Sequence, residues 1–188
     1  ITMSMWGMDD GSTLTGKHLW TNGDATVQDG GTGPNATYVT DGVEAGDVLV
    51  GDAGSDTITG RGGADTLTGG SRTDKFVFQS GDTGITEATA DTITDFSTGT
   101  DKIDIDAPGT YVEADGTGTA NLAAFITAAN ASLTTTSDDI YSQYNFAGGG
   151  NTLVVIDENK SGTINAGDTL IILTGLSTAD GLDASDFI

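Results

Sequence analysis

The sequence predicts an all-β protein: a parallel β-roll of glycine-rich nonapeptide repeats, with a β-rich cap that carries one helix. Three observations predict it. A nine-residue unit occurs four times in succession, over 42–50, 51–59, 60–68 and 69–77, each with aspartate in sixth place (Asp47, Asp56, Asp65, Asp74). An apolar residue follows two places later, at Leu49, Ile58, Leu67 and Phe76. Glycine is abundant in the intervening stretches, 29 residues in the whole chain. A period of nine with Gly-rich turns and very short strands is the mark of a coiled, calcium-binding β architecture.

Residues 1–41 come first and read as short strands broken by Gly, Asn and Asp, an N-terminal irregular β segment or a cap on the roll. Trp6, Trp20 and Tyr38 read as core residues, with an aromatic glycan-binding surface as the alternative.

The roll itself is expected over 42–80. Each repeat divides into a turn of about six residues, where glycine supplies positive φ, and a strand of about three. Two repeats then make one coil with a strand on each face. Residues eighteen apart therefore stack, Asp47 over Asp65 and Asp56 over Asp74, about 4.8 Å apart as neighbouring strands are. Calcium takes six to eight oxygens at about 2.3–2.6 Å. One ion thus fits between two stacked aspartates, and turn carbonyls complete its shell. The expected ligands are Gly42, Glu44 and Asp47; Gly51, Ala53 and Asp56; Gly60, Gly62 and Asp65; and Gly69, Ser71 and Asp74. Two inter-coil ions are expected. A series of Gly/Asp turns without metal is the alternative, but stacked like charges repel unless a cation lies between them. Val43 and Ala45 depart from glycine in the first repeat. Arg72 in the last would set a cation beside the final site.

The cap is expected over 81–188. Alternation across 102–106 predicts a strand with one dry face. Leu122, Phe125, Ile126, Ala129 and Leu133 fall at helical spacing behind Asn121, an N-cap residue type, so one helix is predicted over 121–133. Strands are predicted at 140–146, 151–156 and 169–174, with the Gly148–Gly150 run as the turn between the first two.

A second cation loop is predicted between the last two strands. Residues 157–168 match a twelve-residue calcium loop: oxygen side chains at Asp157, Asn159 and Ser161, glycine at 162, the carbonyl of Thr163, an apolar anchor at Ile164 and a carboxylate at Asp168. Two features depart from the pattern. The twelfth residue is Asp rather than the longer Glu, and the flanks are strands rather than helices. An Asx-rich hairpin turn is the alternative.

Composition sets the partners. The formal net charge is −22, and Glu44, Glu87, Glu113 and Glu158 are the only glutamates. Such acidity argues against nucleic acid, whose phosphates demand Lys and Arg, and disfavours an anionic membrane surface. No apolar run is long enough for membrane insertion. Divalent cations are the natural partners, and without them the chain should repel itself. Cysteine is absent, compatible with an extracellular setting in which metal rather than disulfides staples the fold. The start at Ile1, with no basic-then-apolar leader, reads as a processed product or a portion of something longer. His18 is the sole histidine, so a His-Glu-x-x-His zinc helix is impossible, and thiolate sites are excluded. No nucleophile elbow occurs, and no complete phosphate-binding Gly-x-x-x-x-Gly-Lys-Ser/Thr loop does either, since Gly11–Lys17 is followed by His18. The chain therefore reads as non-enzymatic.

The nonapeptides, the segments 91–96 and 101–104, and the closing 170–175 and 184–188 together resemble the RTX family of secreted calcium-binding proteins. The likeness is to the C-terminal β-roll and cap of serralysin-type exoproteins and of some bacterial surface-layer proteins, over roughly 42–188. The resemblance implies secretion by bacterial type I secretion machinery through an uncleaved C-terminal signal, which Asp186, Phe187 and Ile188 match, and folding only where calcium is plentiful. A terminal turn docking Phe187 and Ile188 into the core is the alternative reading of that tripeptide. Two functions are expected: an extracellular structural or self-assembling protein (surface layer, filament, matrix or adhesin, with itself or a cell surface as partner), or the secretion and folding module of a larger exoenzyme.

Overall fold

The computed structural model describes residues 26–28 and 37–39 as backbone, and 46–51, 53–105, 108–133, 138–177 and 181–188. Trp6, Trp20, His18, Gly42, Glu44 and the side chain of Tyr38 lie outside the described residues.

The strands are β1 (Thr26–Gln28), β2 (Thr37–Val39), β3 (Val48–Val50), β4 (Thr57–Thr59), β5 (Thr66–Thr68), β6 (Lys75–Val77), β7 (Asp91–Ile93) and β8 (Lys102–Asp104). After these come β9 (Pro108–Asp115), helix α1 (Leu122–Asn130), β10 (Asp138–Phe146), β11 (Asn151–Asp157) and β12 (Thr169–Leu173). Odd and even strands of the first eight fall into separate sheets. One runs β1-β3-β5-β7 and continues as β12-β11-β10-β9; the other runs β2-β4-β6-β8.

Each strand of the roll pairs in parallel with the strand one coil on. Leu49 lies beside Leu67, Ile58 beside Phe76, Leu67 beside Ile93 and Phe76 beside Ile103. The eighteen-residue stacking expected from the repeats is therefore present. The coil does not stop where the nine-residue period stops: β7 and β8 add a further turn, closed by longer connections. In β3, β4, β5 and β6 the central residue is buried and its neighbours half-buried. With two sheets face to face and period-two side chains, one residue per strand must fill the interior. Leu49, Ile58, Leu67, Phe76, Ile93 and Ile103 have no solvent exposure and form that filling.

The cap extends one roll sheet instead of forming a separate layer, since β12 pairs with β7 in parallel. β11 lies between β12 and β10, antiparallel to both, and all but the first of its residues are buried. Both faces of this part of the sheet are covered, so its sequence is a continuous apolar run. Val154, Ile156, Ile171 and Leu173 face the roll interior. Leu153, Val155 and Leu170 face Phe125 and Ala129 of α1. The side chain of Asn121 caps that helix by accepting from the Ala124 N–H at 3.0 Å. Leu122, Ile126 and Leu133 are only partly buried. β9 is an additional strand, parallel to β10 at the sheet edge.

The chain ends on the other sheet. Phe187 bridges Ile103 of β8, and the Ile188 backbone exchanges hydrogen bonds with Ile103 and Ile105. Phe187 is buried, but Ile188 is 47% exposed, so only the first of the two docks into the core.

Candidate metal centre

The aspartates of the repeats form a ladder on the two flanks of the roll. The Asp47 N–H donates to Asp65 Oδ1 at 2.7 Å, and the Asp56 N–H to Asp74 Oδ1 at 2.8 Å. Each carboxylate thus turns one oxygen to the backbone of the preceding coil, rather than facing the earlier carboxylate squarely. The same aspartates accept at their own carbonyls, from Thr66 N–H at 2.7 Å and Lys75 N–H at 2.8 Å. Parallel pairing of the flanking strands brings these groups into register.

The second oxygen of each carboxylate is the one available for chemistry. Oδ2 of Asp65 and Oδ2 of Asp74 are buried and accept no hydrogen bond. Glycine at the first place of the repeat leaves room for them. A Cβ on Gly51 would lie 2.5 Å from both Asp56 Oδ2 and the Gly69 carbonyl of the next coil, and one on Gly69 would lie 2.5 Å from Asp74 Oδ2. A Cβ on Gly60 would collide with Asp65 Oδ2. Burial pushes the Asp65 carboxyl up to about 7, the Asp47 charge adding to it and the Asp47 N–H opposing it. Burial likewise pushes Asp74 up to about 6. These are carboxylates that need either a proton or a cation.

Calcium fits this donor set. It takes hard oxygens, carboxylate and carbonyl alike, in a flexible shell, and the turns offer buried carboxylate oxygens against close-packed backbone. Among the described residues no three carboxylate or imidazole groups converge to hold a metal by themselves, so an ion here must also draw on backbone carbonyls. Ala53 and Gly62 sit half-buried in the turns and Ser71 is exposed. Arg72, at φ 89°, is also exposed.

The ladder continues into residues that the nonapeptide period does not reach. The Asp65 N–H donates to Asp91 Oδ1 at 2.8 Å and the Asp74 N–H to Asp101 Oδ1 at 2.9 Å. A sequence signal for both exists. Asp91-Thr-Ile and Asp101-Lys-Ile reproduce the Asp-x-apolar triplet of the repeats, at separations of 26 and 27 rather than 18.

The 157–168 loop joins β11 to β12 and is organised by its own oxygens. Asp157, fully buried, accepts from the Ser161 N–H at 3.0 Å and the Gly162 N–H at 2.6 Å. The same Ser161 N–H reaches Asn159 Oδ1 at 3.0 Å, and Ser161 Oγ donates to the Thr163 carbonyl at 2.8 Å. Four of the five predicted oxygen groups are thereby gathered around residue 161. Asp168 is also buried and accepts from the Asn165 N–H at 2.8 Å. Burial raises its pKa, with the Asp157 charge adding to the rise. Lys160 at φ 58° and Gly162 at φ 74° make the tight bend. Ile164 is buried against the helix side of the sheet and donates its N–H to Asn130 Oδ1 of α1 at 2.7 Å. Asp157 differs from Asp65 and Asp74 of the roll in having backbone donors on both of its oxygens.

Residues 41–74 match the family model of the RTX calcium-binding nonapeptide repeat, in four copies. No curated protein sequence matches the chain. Among solved structures, the chain is similar to the AlgE6R3 subunit of the Azotobacter vinelandii mannuronan C5-epimerase in solution, at 22% identity and a TM-score of 0.56. That likeness covers 90% of this chain and 80% of the other, and it is a likeness of fold. The repeats are RTX repeats, and RTX repeats bind calcium. No helix among the described residues is long and apolar enough to cross a membrane.

Proposed function

We propose that this RTX-repeat protein is an extracellular structural module that calcium stiffens and that self-associates or docks on a cell surface, as in a surface layer, filament, matrix or adhesin. In this reading it is not an enzyme. The observation that supports it is the buried carboxylate oxygen that accepts no hydrogen bond on each flank of the roll, at Asp65 stacked over Asp47 and at Asp74 stacked over Asp56. Like charges stacked in this way oppose folding at neutral pH until a divalent ion is shared between them.

The ligands we assign are Asp47 with Asp65, and Asp56 with Asp74, completed by carbonyls at the first and third places of their turns: Gly42, Glu44, Gly51, Ala53, Gly60, Gly62, Gly69 and Ser71. A further ion is assigned to the hairpin loop, with Asp157, Asn159, Ser161, the Thr163 carbonyl and Asp168. Calcium supplies charge neutralisation and cross-linking between coils; the chain supplies the oxygens, the close-packed turns and the apolar filling that fixes their register. Secretion by type I machinery, with recognition at the C-terminal tripeptide, belongs to the same reading.

A second reading is that the chain is the secretion and folding module of a larger exoenzyme. The likeness to one subunit of a mannuronan epimerase favours it. A catalytic domain in the same gene upstream of Ile1 would decide between the two.

Calcium titration followed by circular dichroism and light scattering tests the proposal. We expect gain of β signal and compaction on adding calcium, then growth of particle size. A chain that keeps its β signal in excess chelator at neutral and mildly alkaline pH overturns the calcium-folding proposal. A chain that folds with calcium but stays monomeric at millimolar calcium overturns the assembly role alone.

A further inference from the structure

The cap holds a cavity that the calcium chemistry does not use. It is open, of about 300 Å³, and lies between the loop that leaves β9 and the turn that joins β10 to β11. One wall is Thr117, Gly118, Thr119 and Ala120; the other is Ala147 and Gly148.

Both walls are fixed by the fold itself. β9 and β10 run in parallel as far as Asp115 and Tyr144, and the chain then leaves β9 through Gly116. The Gly116 N–H donates to the Tyr144 carbonyl at 2.9 Å, and a Cβ there would lie 2.7 Å from that same oxygen. Asn145 Nδ2 donates to Thr117 Oγ1 at 2.9 Å, tying the second wall to the first. The pairing of β10 with β11 shifts register between Gln143 and Phe146. Beyond the shift Ala147 sits at φ 53°, a left-handed conformation that is costly for alanine and persists only where its surroundings impose it. The Phe146 ring anchors the turn, edge-on to Phe125 of α1 at 6.0 Å.

The lining has one chemical character. Among the described residues it carries no charged side chain, in a chain whose formal net charge is −22. The Gly118 and Thr119 N–H groups are both taken by the Gly116 carbonyl at 2.9 Å, and the Gly148 N–H by the Asn145 carbonyl at 3.0 Å. The Thr119 hydroxyl and the Ala147 and Gly148 carbonyls have no partner among the described residues. The free groups are therefore mainly acceptors, set among the methyl and Cα–H groups of alanine and glycine. Asp115 stands beside this wall, exposed, and accepts from the Thr117 N–H at 2.8 Å. The Thr117 hydroxyl and N–H hold its carboxyl below the ordinary value, so the border of the cavity is anionic.

An uncharged, acceptor-rich lining fits a neutral ligand that brings hydroxyl donors and C–H faces. Phosphate, sulfate or uronate groups would meet carbonyl oxygens and a carboxylate, which opposes them. The volume stands at the small end of ligand sites, about 300–1,000 Å³. We propose that this cavity binds a neutral saccharide, with one sugar ring seated between the 117–120 loop and the Ala147–Gly148 turn. Ring hydroxyls donate to the Ala147 and Gly148 carbonyls and meet the Thr119 hydroxyl, while the C–H face lies on the small side chains. The site gives the cell-surface docking proposed above its partner chemistry, and it rests on that reading for its setting.

Titration of the calcium-loaded full chain with cellotetraose, maltotetraose and mannotetraose, followed by amide NMR shifts, tests the proposal, with tetragalacturonate as the anionic counterpart. Gly118→Leu is the blocking variant: a Cβ there meets no atom and its φ is not left-handed, so the side chain fills the cavity without disturbing the backbone. Thr119→Val removes one hydroxyl and keeps the shape. We expect at least one neutral tetraose to shift the amides of 117–120 and 147–148. Its affinity should fall about tenfold or more in Gly118→Leu and about three- to tenfold in Thr119→Val, as loss of one hydrogen bond does. Tetragalacturonate should bind about tenfold more weakly or worse, and Asp115→Asn should narrow that gap. Circular dichroism confirms folding, and Thr119→Val decides if Gly118→Leu does not fold. The site is overturned if none of the three tetraoses binds the folded chain, or if a folded Gly118→Leu binds as the wild type does. Tighter binding of tetragalacturonate overturns its preference for a neutral ligand. A chain that binds a neutral tetraose yet neither assembles nor docks on cells overturns the reading above instead and leaves the site standing.

Discussion

Single atoms decide whether the turns can close. Gly51 has no Cβ, and the space a Cβ would occupy is filled by Asp56 Oδ2 and the Gly69 carbonyl at 2.5 Å. The carbonyl belongs to backbone one coil away, so it cannot swing aside as a side chain would. Gly51→Ala should therefore destabilise the calcium-loaded protein by about 1–3 kcal/mol, the usual cost of overpacking, and raise the calcium midpoint in a titration followed by circular dichroism. Gly81→Ala is the comparison. Its Cβ meets nothing, and its φ of 85° alone is strained, so it should leave calcium affinity nearly unchanged while costing stability. The aspartates were legible because their spacing is rigid. Asp91 and Asp101 were not, because the same triplet returns after a longer and irregular interval that no period reveals.

Elements are legible where periodicity is local. α1 begins at its expected cap and ends three residues early, at Asn130, where the Asn130 side chain turns to the hairpin at Ile164. It holds to the sheet through Phe125 and Ala129, and the Phe125 ring packs against Tyr141 and Phe146 with centroids 5.6 and 6.0 Å away. Phe125→Ala should cost about 3–5 kcal/mol, as a buried aromatic truncation does. Loss of helical signal before the β signal in a thermal melt checks it; a single unchanged transition would show the helix is not needed to hold the cap. β9 escaped the sequence reading for a physical reason. It starts at Pro108, runs through Gly109, and its residues are exposed or half-buried, so it has neither a dry face nor a clean alternation. Its place is set by parallel pairing to β10, a long-range contact with no local signature.

At the scale of the whole molecule the charge decides the conditions of folding. Burial raises the carboxyls of Asp65, Asp74 and Asp91 to about 7, 6 and 8, from an ordinary value of 3.8. A group whose folded pKa lies above its unfolded one keeps its proton in the folded chain after the unfolded chain has lost it. Over that window the folded state binds more protons, so stability falls as pH rises. In chelator the protein should be most stable near pH 4 and lose its β signal progressively between about pH 4 and 8, opposite to the usual behaviour of paired carboxylates. Saturating calcium should abolish or reverse this dependence, because the ion prefers the deprotonated oxygens; melting curves at several pH values, with and without calcium, check both signs. Metal-free stability that rises from pH 4 to 8 would contradict the burial of these oxygens. The sequence alone determined the coil, its inward column of Leu49, Ile58, Leu67 and Phe76, and calcium as ligand, since a fixed period forces identical groups to stack. Only the tertiary structure decided that the roll continues through β7 and β8, that the cap prolongs one of its sheets, and that Phe187 closes the other. Those outcomes depend on pairings between segments far apart in the chain, where interior filling and edge hydrogen bonds select the partner and no local spacing records the choice.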